Sequence, residues 1–400
     1  MKYDFDRLHS RKGTNSAKWD AVKPMFGSDD VIPMWVADMD FPTAQPIVDA
    51  LEMRAGHAFY GYTMPGEGVT DAIIDRIQRK FNWKVEPEWI VFTPGVIPAI
   101  NLAIRSLTRP GDEIILQEPV YYPFFPSVKQ SGCQVATNAL KLIDGRYEMD
   151  FEDLEHRFGP RSGMRDMPSR ARALLLCNPH NPIGRLWNKE EITRAGEIVI
   201  NAGGVVISDE IHCELLFEGY THTTFASISE EFARNSIICF APSKTFNLAG
   251  LGASSIIIPN KKLREAFNEV KAGMVPGLNL FSLVAMEAAY RHGDEWLDQL
   301  NAYLQKNLDF TLDFFKERIP KITPITPQGT YLLWLDCRGL GLDDDELRKF
   351  MREDVKIGLD DGFLFGTGGS GFQRMNIACP RSLLEEALTR LEKAVKGLGY

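Results

Sequence analysis

Between residues 88 and 259, short apolar runs alternate with longer stretches in which apolar residues recur every three or four positions. The runs "EWIVFTPG", "DEIILQEPVYY", "ARALLLCNPHNPIG", "GGVVISDEIH", "SIICFAPSK" and "ASSIIIP" each read as a β-strand, and most end in polar residues, glycine or proline. Stretches 96–108, 121–131, 189–202 and 261–272 read as helices between them. This alternation predicts an α/β fold with a mostly parallel sheet covered by helices on both faces. In such sheets ligands bind outside the carboxyl ends of the strands. Gly95, Tyr121, Asn181, Asp209 and Lys244 all follow predicted strands, so the chemistry is expected there.

The pattern changes near residue 290. A long amphipathic helix over 294–317 precedes the strand-like "GTYLLWLDC", a short helix opening at "DDDELRKF", a glycine-rich stretch, the strand-like "QRMNIACP" and a final helix. This predicts a smaller α+β domain. The first forty-odd residues lack clear periodicity, and the expected division is a large domain over 45–289 and a small one built from 1–44 and 290–400.

Composition narrows the function classes. Hydrophobic residues make up 44% and charged residues 25%, which argues against disorder. A net charge of −9, with no Lys/Arg-rich run, argues against a nucleic-acid partner. No apolar run is long enough to span a bilayer, and "MKYDFDRLHSRKG" lacks the apolar core of a secretory signal. The six cysteines are scattered without a CxxC pair, which fits reduced thiols and a cytoplasmic location. The histidines form no HExxH or His/Cys cluster, so no metal is expected.

Two charged residues stand where hydrophobic runs end. Lys244 follows "SIICF"; it is either a surface lysine with a covered stem or a partly desolvated amine able to form a Schiff base, and position alone does not decide. Asp209 follows "VVIS", where an unpaired charge costs several kcal/mol; it is an N-cap, one half of a buried ion pair, or the partner of a cationic ligand. Pyridoxal 5'-phosphate (PLP) suits both residues. It needs a Schiff-base lysine at its aldehyde and a carboxylate at its ring nitrogen.

Eight segments in order carry a resemblance: "WVADMDF", "FYGYT", "FTPGVIPAINLAI", "EPVYYPF", "LLLCNPHNPIGRLW", "ISDEIHCEL", "APSKTFNLAGL" and "FQRMNIACPR". The chain resembles the fold-type I PLP enzymes of the aspartate aminotransferase superfamily, and within them the cystathionine β-lyase/C–S lyase group. That resemblance implies a large domain with a mostly parallel seven-stranded sheet plus a smaller α+β domain. It implies that Lys244 is the Schiff-base lysine and the base for the substrate's α-proton, and that Asp209 pairs with the pyridinium. Asn181 would bond the cofactor's phenolic oxygen near the substrate carboxylate, and Tyr121, or its neighbour Tyr122, would stack on the ring. Arg374 would take the substrate carboxylate as a bidentate fork. Backbone amides of Gly95, Val96 and Ile97, with the Ser243 hydroxyl, would hold the phosphate at a helix start. Tyr62 would reach the phosphate in the other subunit of a homodimer with shared active sites.

Two departures stand out. Many superfamily members have a basic residue eight positions after the lysine, where this chain has Gly252. Three positions after the aspartate, aminotransferases commonly have tyrosine; here His212 stands, within a "DEIH" that resembles the lyases. The implied activity is β-elimination from L-cystathionine or a related S-substituted cysteine, giving pyruvate, ammonia and a thiol such as homocysteine. An aminotransferase of the same fold and a regulatory protein retaining it are the alternatives.

Smaller signals carry less. Asn178 reads as a turn residue among prolines. Trp35 and Asp38 either line the substrate entrance or serve as a packed aromatic and a cap. "GTGGSG" (366–371) formally matches a dinucleotide fingerprint but lacks the βαβ context, and reads as a flexible loop leading to Arg374. "LDDDEL" lacks EF-hand spacing and reads as acids at a helix start.

Overall fold

The computed structural model describes residues 1–159 and 169–399. Seven strands form the main sheet: β1 (Ile90–Thr93), β2 (Glu113–Leu116), β3 (Gln134–Thr137), β4 (Ala171–Cys177), β5 (Val205–Asp209), β6 (Ser236–Phe240) and β7 (Ser254–Ile257). Their spatial order is β1-β7-β6-β5-β4-β2-β3, parallel throughout except that β7 runs antiparallel to β1 and β6. Six of these are the predicted apolar runs. The seventh, β3, is not predicted, because a short edge strand reading "QVAT" buries too little to show a run.

The continuous apolar runs follow from burial on both faces. Alternate residues of β4 enter two different cores: Leu174 and Leu176 face one, and Ala173, Leu175 and Cys177 face the other. Helices α1 (Gln45–Gly56) and α2 (Glu67–Phe81), not predicted from the residue pattern, pack with a later helix, Leu280–His292. Helix α3 (Val96–Leu107) fills the predicted stretch and covers the other face. The helix expected over 121–131 is shorter, α4 (Phe124–Gln130). Pro123 precedes it and disfavours helical backbone at Tyr122, which leaves both tyrosines outside the helix.

After α5 (Asp294–Arg318), an antiparallel sheet holds β8 (Thr323–Ile325), β9 (Leu332–Asp336), β10 (Asp360–Asp361) and β11 (Phe372–Asn376), in the order β8-β9-β11-β10. Within the first forty-odd residues, Ile32–Pro33 pairs in parallel with Ile357–Gly358, and the chain then runs past the carboxyl ends of the main sheet. The "LDDDEL" acids do open a helix: Asp343 and Glu346 form a reciprocal capping box. The glycine-rich loop is less free than expected. The Thr367 N–H donates to Glu118 Oε2 and the Gly371 N–H to Asp344 Oδ1, at 2.7 and 2.8 Å. Gly366 sits at φ +90°, where a Cβ would fall 2.3 Å from Glu118 Oε2. Among the described residues no helix is long and apolar enough to cross a membrane.

Candidate active site

Chain order reverses between β2 and β4, since β3 lies on one side of them and β5 and β6 on the other. That is where such sheets open a crevice for ligands. A cavity of about 190 Å³ lies there, lined by Tyr121 after β2, Asn181 after β4, Asp209 and His212 at and after β5, and Ser243 and Lys244 after β6. Gly95, Val96 and Ile97, at the start of α3, line it too. Sequence reasoning names all nine. Tyr122 does not line it and packs edge-on against Phe365, so Tyr121 is the tyrosine that faces the cavity.

Lys244 lies on a four-residue helix, Pro242–Thr245. Its side chain is surrounded by protein but opens into the cavity, and Nζ donates to the Ala37 carbonyl at 2.6 Å. Burial, then the Arg374 charge, lower its pKa to about 8, which leaves roughly a tenth of the amine unprotonated and nucleophilic at pH 7, far more than at its ordinary value. Asp209 is buried, and its Oδ1 accepts the Ile211 N–H at 3.1 Å. Burial raises its pKa to about 7 against the pull of that N–H and of Lys244. His212 is buried with Nδ1 unpartnered; burial and the nearby Lys244 and Arg374 charges depress it to about 3, so the ring is neutral. Burial lifts the Tyr121 phenol to about 12, so it carries its proton.

Arg374, on β11, reaches the site from the smaller sheet. Its Nη1 donates to Asn181 Oδ1 at 3.0 Å, and its Nη2 donates to the Trp35 carbonyl at 2.9 Å and to Asp360 Oδ2. Nε is buried without a partner.

Three observations test the site against PLP. The buried Asp209 carboxyl takes one N–H and meets no directly bonded cation, so a protonated ring nitrogen would supply what it lacks. His212 lines the cavity and its buried Nδ1 has no partner, so a polar ligand there would supply what it lacks. The first amides of the twelve-residue α3, with Gly95 at φ +140°, present unsatisfied N–H groups where an anion would sit. The residues fit the cofactor.

Other expectations resolve differently. Tyr62 is fully exposed and does not line the cavity. Gly252 lines it at φ +59°, where a Cβ would meet the Pro94 carbonyl oxygen at 3.3 Å, so a basic residue there would be both strained and crowded. Trp35 is a packed aromatic: it stands edge-on to Phe26 and its Nε1 donates to the Lys18 carbonyl. Asp38 does not line this cavity but a neighbouring one of about 290 Å³ that shares Ala249 with it, and it receives both terminal nitrogens of Arg11. Asn178 ties its turn, accepting the Trp187 N–H at 3.0 Å.

Sequence reasoning misses what holds the segment 35–41 over the site. Side chains grip its carbonyls one after another: Arg374 at Trp35, Asn376 at Val36 and Asp38, Tyr331 and Lys244 at Ala37, and Asn247 at Met39 and Phe41. Backbone acceptors leave no side-chain signature, and only "WVADMDF" marks the place.

A parallel sheet with a lysine and a carboxylate at adjacent strand ends, and an arginine brought in from a second sheet, defines the fold-type I class. The chain belongs to the family of aminotransferases of class I and II, which it matches over residues 29–391. It is 42% identical over 393 residues to cystathionine beta-lyase PatB of Bacillus subtilis, covering 98% of this chain and 100% of that one. Cystalysin from Treponema denticola, whose crystal structure contains pyridoxal 5'-phosphate, superposes with a TM-score of 0.95 at 38% identity over the whole of both chains. The PLP-bound C–S lyase of Staphylococcus hominis superposes with a TM-score of 0.91 at 29% identity, over 99% of this chain and 98% of that one.

Proposed function

We propose that this chain is a PLP-dependent C–S β-lyase that cleaves L-cystathionine or a related S-substituted cysteine, with water, to pyruvate, ammonia and a thiol such as homocysteine. The observation that carries the reading is the meeting of Lys244, Asp209 and Asn181 at one cavity, with Arg374 bonded to Asn181 at its edge. Relatives named as cystathionine β-lyases and C–S lyases support it.

Lys244 would hold the cofactor, Asp209 its ring nitrogen, and the amides of Gly95, Val96 and Ile97 with Ser243 its phosphate. Asn181 would meet the phenolic oxygen, the neutral His212 would support that edge, and Tyr121 would lie against the ring. Bound there, the cofactor supplies an electron sink for charge developing at the substrate's α-carbon. Arg374 would orient the substrate through its carboxylate. Lys244, with an amine that titrates near 8, is suited to take the α-proton. Thiolate is a good leaving group, and the protonated Tyr121 or the newly charged Lys244 can deliver a proton to the departing sulfur.

The division into a domain over 45–289 and another from 1–44 and 290–400 is part of the same proposal, as is a cytoplasmic location. So is a homodimer in which Tyr62 contacts the neighbouring subunit's cofactor phosphate. The exposed Phe59, Tyr60, Tyr62 and Met64 form an apolar segment suited to burial against a second copy.

The test is product analysis with purified protein, PLP and L-cystathionine, without a keto acid. Pyruvate, ammonia and thiol in equal amounts support the lyase. Consumption of amino acid only when a keto acid is added would replace it with an aminotransferase.

A further inference from the structure

Arg374 is not alone in its place. The antiparallel register of β10 and β11 sets Asp360 directly opposite it, and Asp360 Oδ2 accepts from Nη2. Both side chains are nearly inaccessible, at 2% and 7% exposure. A guanidinium cannot shed its proton to escape burial, so Arg374 keeps its charge; burial pushes the Asp360 carboxyl upward, while the Arg374 charge and hydrogen bond pull it back down.

That bond decides which donors the arginine has left. Of its five N–H groups, two on Nη2 are taken by Asp360 and the Trp35 carbonyl, and one on Nη1 by Asn181. The guanidinium also stands over the Phe365 ring, 5.1 Å from its centroid. It therefore has one orientation, with the unpartnered Nε–H and the second Nη1–H left for a substrate carboxylate.

The charge matters as much as the geometry. Arg374 bears on Lys244, where it opposes protonation while Asp38 and Asp209 favour it; the neutral His212 and Tyr331 complete that surround. Asp360 in turn bears on Tyr121 and Tyr122, and Asp361 stands beside it, already bonded by Arg348 and Arg352.

We propose that Asp360 is a positioning residue of the active site: it holds Arg374 in one orientation and offsets its charge, so that the cation reads a substrate carboxylate without dominating the field at Lys244. The orienting half rests on Arg374 being the carboxylate site; the charge-balancing half does not.

The experiment uses the PLP-loaded protein and three variants: Asp360→Asn, Asp360→Ala and Arg374→Ala. The first readout, taken without substrate, is the pH midpoint at which the bound cofactor's visible absorbance changes. Asp360→Asn keeps an oxygen for Nη2 but removes the charge, and should lower that midpoint by about half a pH unit or more. A salt bridge that served only stability would leave it in place, so an unmoved midpoint overturns the proposal. The second readout is steady-state kinetics with L-cystathionine. Asp360→Ala should raise KM about tenfold with kcat changed less than about threefold, and Asp360→Asn should raise KM less. If Arg374→Ala raises KM and Asp360→Ala does not, the orienting role falls while the substrate reading stands. If Arg374→Ala leaves KM unchanged, the substrate reading fails, and the midpoint alone judges Asp360. Should Asp360→Ala fail to fold, Asp360→Asn still decides.

Discussion

The amine of Lys244 donates a hydrogen bond to the carbonyl oxygen of Ala37, 2.6 Å away and 207 positions earlier in the chain. The same carbonyl accepts from the Tyr331 hydroxyl at 2.9 Å. Through this one atom, the strand end of the main sheet, the strap over the site and the smaller sheet are joined.

Lys244→Ala should remove the visible absorbance that PLP acquires on binding and reduce turnover with L-cystathionine by about a thousandfold or more, since both the cofactor's attachment and a positioned base are lost. Absorbance and thiol release are measured on the same preparation. A variant that still releases thiol at the original rate would displace Lys244 from its role.

Arg374→Ala should lower kcat/KM for amino-acid substrates by about 10- to 100-fold, the usual consequence of deleting a charge-assisted hydrogen bond, with most of the change in KM. The check is steady-state kinetics; an unchanged ratio would place the carboxylate elsewhere.

Tyr62→Phe removes only a hydroxyl from a side chain that is fully exposed in the single chain. In a homodimer with shared sites it should weaken PLP retention, measured as cofactor lost on dialysis, and leave the folded stability of the chain unchanged. Equal retention in both proteins would count against sharing.

Gly252→Ala should destabilise the protein by about 1–2 kcal/mol, from the left-handed backbone penalty and from crowding against Pro94. Urea unfolding at pH 7 measures it. A neutral result would mean that the turn yields easily, and that a basic residue there is not disfavoured by backbone.

His180 is wholly buried, its Nε2 2.9 Å from the Pro119 carbonyl, and burial lowers its pKa from 6.5 to about 4. Between those values the unfolded chain binds a proton that the folded one refuses, so this histidine's contribution to stability is full above pH 6.5 and declines as pH falls towards 4. His180→Gln keeps a donor for Pro119 and removes the titration. Its urea-unfolding free energy should fall less steeply with acid than that of the natural protein, by up to about 1.4 kcal/mol per pH unit. Parallel pH profiles would show that the histidine ionises freely in the fold.

Much of the site is legible in the residue pattern. Asp209 and Lys244 stand within a few residues of where apolar runs end, and a parallel sheet places such positions at one crevice whatever its side chains. Hence five cavity residues, Gly95, Tyr121, Asn181, Asp209 and Lys244, can be named from strand ends, and the family resemblance adds Val96, Ile97, His212 and Ser243. What the local pattern misjudges is equally local: β3, too short and too exposed to form an apolar run, and the start of α4, displaced by Pro123.

The sequence by itself determined six of the seven strands of the main sheet, their order along the chain and the identity of the groups that end them, because burial on two faces demands continuous apolar runs and the polar exceptions stand out. Only the tertiary structure decided which carboxylate accompanies Arg374, which tyrosine faces the cavity and which carbonyl receives Lys244. Those choices depend on strand register and on backbone atoms brought together across hundreds of residues. A carbonyl oxygen is the same at every position in a sequence, and a register of two strands is set by packing that no local spacing records.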